Sequence, residues 1–69
     1  MINDIVVSEF YGSDQYAERE AVVKDMGNGV FHVEMYDEEG LYSIRKIEGK
    51  TVQYCEDCAE NWVIGVIKK

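Results

Sequence analysis

Apolar and polar positions alternate with a period of two along most of this chain, and that period changes once, near the C-terminal end. Ile2 to Tyr11 is β-rich, with Ile5, Val6, Val7 and Phe10, and it stops at Gly12-Ser13-Asp14. Gln15 to Glu20 reads as a loop or one weak helical turn, and Arg19 to Met26, with Ala21-Val22-Val23, as a second strand. Gly27-Asn28-Gly29 is the strongest hairpin signal, because Asn-Gly readily takes the positive φ values of a type I′ turn. The return strand, Val30 to Tyr36, places Phe31, Val33 and Met35 on one face and His32, Glu34 and Tyr36 on the other. Asp37-Glu38-Glu39-Gly40 turns the chain again and Leu41 to Ile47 is a fourth strand.

After Glu48-Gly49-Lys50, Thr51 to Tyr54 is read as an extension or repeat of the fourth strand. From Cys55 to Trp62 the period becomes 3.6: Cys55, Cys58, Ala59 and Trp62 fall on one helical stripe, with Glu56, Asp57, Glu60 and Asn61 opposite. Asn61 to Ile67 then reads as an apolar strand in which Gly65 marks a bulge or sharp bend. Strands at about eight- to twelve-residue spacing, with one short helix before the last of them, predict a small antiparallel barrel. The expected architecture is mainly β: one domain over 1–69, a strongly bent five-stranded SH3-like barrel, with an OB-like barrel as the alternative.

Composition narrows the function classes. At 69 residues the core is small, and the usual supplements are disulfides, metals or oligomerisation. Two cysteines make no disulfide framework, and the single histidine lies far from them in sequence, so oligomerisation is the expected supplement. The chain is 46% hydrophobic and shows no membrane-length apolar run and no signal peptide, which predicts a cytoplasmic protein without a membrane partner. Fourteen acidic residues against 7 basic ones give a net charge of −7, which repels nucleic-acid phosphate at long range. Basic residues cluster at Arg45-Lys46 with Lys50, and at Lys68-Lys69.

Cys55 and Cys58 have the spacing of a redox pair or half a zinc site. Glu56 and Asp57 between them disfavour thiolate, further metal ligands are lacking, and the helical stripe favours plain core packing. A small thiol redox or metal-binding protein using Cys55 and Cys58 is the alternative function. Asp37-Glu38-Glu39 and the helix acids read as solvated surface, and His32 has no nucleophile partner by spacing, so no catalytic residue, metal or cofactor is expected. Tyr11, Tyr16, Tyr36, Tyr42 and Tyr54 raise the question of a base-stacking platform. Interleaved basic residues would strengthen that reading, yet only Arg45 and Lys46 lie near Tyr42, and Tyr42, Arg45 and Lys46 are the candidate ligand contacts.

The run Tyr54-Cys55-Glu56-Asp57-Cys58-Ala59-Glu60-Asn61-Trp62-Val63-Ile64-Gly65-Val66 resembles the C-terminal signature of a family of short ocean-metagenome proteins of cyanophage origin. There the segment typically reads Tyr-Ala-Glu-Asp-Ala-Ala-Glu-Asn-Trp before a glycine-containing apolar strand, so cysteines stand here where alanine is usual. The resemblance implies an Sm/LSm-like barrel that forms homo-oligomeric rings through edge strands inside an infected bacterial host. Its implied role is a non-enzymatic binding or adaptor module for RNA or for a host or phage protein. The Sm RNA-binding motifs have no counterpart in this chain, so RNA enters by likeness of fold alone.

Overall fold

The computed structural model describes residues 5–69, so the predicted strand residues Ile2 to Asp4 lie outside it. Four strands, β1 (Ile5–Tyr11), β2 (Glu20–Gly27), β3 (Val30–Asp37) and β4 (Gly40–Glu48), form one antiparallel sheet in the order β1-β2-β3-β4. A short 3₁₀ turn (Asp14–Tyr16) joins β1 to β2, and one helix, α1 (Val52–Val63), follows β4. The Asn28-Gly29 turn forms as the sequence predicts, with φ of 58° and 76° at its two central residues.

Pairing fixes the two faces. Across the helix side run Phe10–Ala21–Met35–Ser43 and Ser8–Val23–Val33–Arg45; across the other run Glu9–Val22–Glu34–Ile44 and Tyr11–Glu20–Tyr36–Leu41. Ala21, Val23, Val33 and Met35 meet Cys55, Ala59, Trp62 and Val63 from α1, and this is the core. The predicted cysteine-to-tryptophan stripe therefore does seat the helix. Trp62 is wholly buried; its Nε1 donates to the Tyr36 carbonyl at 2.9 Å, and the Arg19 guanidinium lies 4.0 Å from its ring centre.

The five-stranded barrel is not formed. The sheet is open, β1 and β4 have no strand partner on their outer edges among the described residues, and the helix comes after the last strand instead of before it. Two local events account for this. Thr51 is not an extension of β4: its hydroxyl accepts from Tyr54 N–H at 3.2 Å, an N-cap that starts the helix at Val52. Gly65 is not a strand bulge either. With φ of 86° it ends the helix in a Schellman motif, in which Gly65 N–H donates to the Trp62 carbonyl and Val66 N–H to the Asn61 carbonyl. The chain reverses there, so the apolar residues after Val63 cannot extend as a fifth strand to close the sheet.

The tail is pinned instead. Arg19 Nη1 donates to the Trp62 and Ile67 carbonyls at 2.9 and 2.8 Å, tying the last turn of α1 to the tail that follows it. Lys69 Nζ lies 2.8 Å from both Asp37 and Glu38 in the β3–β4 turn. Its hydrogen bonds hold both carboxyls below the usual carboxylate range and raise the lysine. Depressed carboxyl pKa values mean that this clamp contributes above the ordinary carboxylate range and is lost as pH falls through the depressed folded values. Lys69→Ala is expected to return the Asp37 and Glu38 titrations upward toward ordinary values, read by NMR of the side-chain carboxyls. Unmoved titrations would rule the clamp out.

Candidate nonpolar and basic shelf beside β4

α1 lies across β1, β2 and β3 and reaches β4 chiefly through long side chains. The helix side of β4 is therefore left as a shelf. Tyr42 stands at one end of it. The β3–β4 pairing slips between Met35 and Tyr36, so that Tyr36 faces Leu41 and Met35 faces Ser43, which leaves Tyr42 as the extra residue. Such a bulge re-aims its side chain, and the Tyr42 ring stacks on the Trp62 indole with centroids 5.1 Å apart and planes 11° apart. Tyr42 still exposes 45% of its surface.

Arg45 follows in the middle of the shelf, paired with core residue Val33 in β3, and its Nη1 lies 3.7 Å from Cys58 Sγ. Arg45, Tyr54, Asp57, Cys58, Asn61 and Ile67 line an open groove of about 290 Å³ between β4 and α1. Lys50 extends the basic character, with Nζ 5.3 Å from the Tyr54 ring centre. The arrangement can hold an extended segment: a free strand edge for backbone hydrogen bonds, aromatic and aliphatic surface, and a cation in the middle.

The structure thus brings Tyr42 and Arg45 together but sends Lys46 to the opposite face, in the row Val6–Lys24–His32–Lys46. Lys46 there makes a loose exposed pair with Glu48 at 3.8 Å. The sequence reading grouped Lys50 with Arg45 but missed Tyr54 and Ile67 as groove neighbours of Arg45; the helical position of Tyr54 was the available signal. His32 lies on the non-helix face, as alternation predicts. The tyrosines do not form one platform. Tyr11 donates to Glu9 at 2.6 Å and Tyr36 to Glu34 at 2.7 Å on that same open face, while Tyr16 packs near Arg19. Those carboxylate acceptors raise both tyrosine hydroxyls.

The cysteines take unequal places. Cys55 is wholly buried in the core, and burial first, then Cys58 and Glu56, pushes its thiol up. Cys58 is half-buried at the groove, on the flank of α1 that faces β4. Neither lies in the first turn of α1, where the helix dipole would favour thiolate. Among the described residues no group of three or more His, Cys, Asp or Glu side chains is placed to hold a metal ion, and no helix is long and apolar enough to cross a membrane. Comparison of the chain with protein families, curated proteins and solved structures found no match.

Proposed function

We propose that this protein is a non-enzymatic interaction module that assembles with copies of itself through its open sheet edges and docks a polypeptide strand on the shelf beside β4. The observation that carries this reading is the uncovered β4 edge. Leu41 and Ile44 are exposed along its open face and Tyr42 on its helix side, where α1 leaves a groove, and the opposite edge exposes Ile5, Val6 and Val7. Bare strand edges of this kind invite pairing. A core of eight buried apolar residues among the described ones gives a chain of this size reason to gain stability from association.

The acidic balance of the chain favours a polypeptide over nucleic acid at the shelf. A second reading, single-stranded RNA, is favoured by one observation: Tyr42, Arg45 and the Lys50–Tyr54 pair combine stacking surface with positive charge. Sedimentation velocity across micromolar concentrations is expected to show species heavier than the monomer. A chain that stays monomeric throughout would remove the self-association. Binding of a short single-stranded RNA that weakens steeply with salt would assign the shelf to nucleic acid instead.

A further inference from the structure

The geometry points to a specific occupant for the shelf, resting on the self-association proposed above: the β1 strand of a second copy, seated head to tail against β4. β1 and β4 are antiparallel to each other in the four-stranded meander. Repeating the subunit in one orientation therefore sets the neighbour's β1 antiparallel beside β4, continues the sheet, and keeps every helix on the same side.

The off-centre helix favours this arrangement over the symmetric ones. α1 overlies β1, where Ser8 Oγ donates to Glu56 Oε2, and leaves β4 bare. A β4–β4 pairing would set two bare shelves side by side. A β1–β1 pairing would bring two helices together and leave both shelves empty. Head-to-tail pairing alone carries the neighbour's helix toward the uncovered side of β4.

Charge then selects the register. On the β1 side the acids are Glu9 on the open face, in the row with Val22, and Glu56 on the helix side above Ser8. On the β4 side the bases are Lys46 on the open face and Arg45 on the helix side. Setting Glu9 opposite Lys46 puts Phe10 opposite Arg45, Tyr11 opposite Ile44 and Ser8 opposite Ile47. Every pair then shares a face, and Glu56 of the neighbour comes diagonal to Arg45. A slip of two residues one way opposes Glu9 to Glu48, like charge to like; a slip the other way opposes Glu9 to Ile44 and loses the ion pair. The bulge after Val6 confines the match to Ser8–Tyr11 against Ile44–Ile47, so the contact is short and the assembly concentration-dependent.

The test is a charge swap read by sedimentation on wild type, Glu9→Lys, Lys46→Glu, the double variant, and an equimolar mixture of the two single variants. Both positions are exposed, and circular dichroism checks that the folds match. Each single variant is expected to associate at least about tenfold more weakly, because like charges face each other at the joint. The double variant and the mixture are expected to recover, since each then offers one acid to one base at every joint. A wild type that never associates overturns self-association itself. A wild type that associates while either single variant matches it, or while the mixture fails to recover, overturns the β1–β4 pairing and leaves self-association standing.

Discussion

Trp62→Ala is expected to abolish cooperative folding at room temperature. The indole is wholly buried and is the largest fully buried side chain described. It touches most of what holds the two layers together: the Tyr36 carbonyl through Nε1, the Tyr42 ring, and the Arg19 guanidinium that also binds its own carbonyl. Truncating a buried aromatic to alanine costs about 3–5 kcal/mol. A single core in a chain this short supplies on the order of 3–5 kcal/mol in all, so the loss equals the whole. Trp62→Phe separates the ring from its polar handle. It keeps a stacking partner for Tyr42 but orphans the Tyr36 acceptor, for a cost of about 1–3 kcal/mol. Urea denaturation followed by far-ultraviolet circular dichroism at low protein concentration distinguishes the three proteins. An alanine variant with a sharp transition near the wild-type midpoint would place the centre of the core elsewhere.

The dependence on Trp62 was visible in the sequence, and its partners were not. The helical stripe placed Cys55, Ala59 and Trp62 on one buried face, and alternation placed Phe31, Val33 and Met35 on the face that receives them. Local periodicity suffices where a segment has one apolar side. It failed at Thr51 to Tyr54, where valine, threonine and tyrosine suit a strand, and where the deciding fact is a hydroxyl reaching the amide three residues on. It failed again after Val63, since an apolar run interrupted by glycine reads equally as a bulged strand or as a helix end and tail. Thr51 before the helix and Gly65 after it are the start and stop signals that would have separated the two. Losing the fifth strand to a Schellman reversal is what turned the expected barrel into an open sheet with two free edges.

The shelf was half legible for a related reason. Alternation alone puts Arg45 and Lys46 on opposite faces, so grouping them as one site contradicted the strand they lie on. The facing of Tyr42 depends on a bulge that no turn residue announces. The unequal burial of Cys55 and Cys58 depends on the helix being offset from β4, a property of the packed layers and not of any short segment. The same offset divides the pair: the buried cysteine has its thiol pushed up, and the half-buried one sits beside Arg45.

Gly12→Ala is the second substitution with a large expected effect, and it tests how the helix end is held. The sequence marks Gly12 as a turn residue, yet its importance is close packing. A Cβ there would lie 1.9 Å from the Tyr16 carbonyl oxygen and 3.0 Å from that of Val63, and both are backbone atoms that cannot rotate aside. The Tyr16 carbonyl is already fixed by Arg19 N–H at 2.9 Å, and Gly12 N–H itself donates to the Arg19 carbonyl at 2.9 Å. Room for a methyl therefore comes only from pushing the 3₁₀ turn away from the end of α1. That displaces Arg19, whose guanidinium binds the Trp62 carbonyl of the helix and the Ile67 carbonyl of the tail and covers the Trp62 ring. Overpacking of this kind costs about 1–3 kcal/mol, and the rigid neighbours put Gly12→Ala at the upper end. Gly49→Ala is the matched control: its φ of 72° disfavours a side chain, but nothing lies within 4 Å of the added carbon. It should cost about 1–2 kcal/mol from backbone strain alone. Amide exchange distinguishes the mechanisms. Gly12→Ala should loosen Arg19 and Ile64 to Ile67 together, whereas Gly49→Ala should leave that end protected. Equal exchange at both ends in both variants would mean that the 3₁₀ turn does not brace the helix.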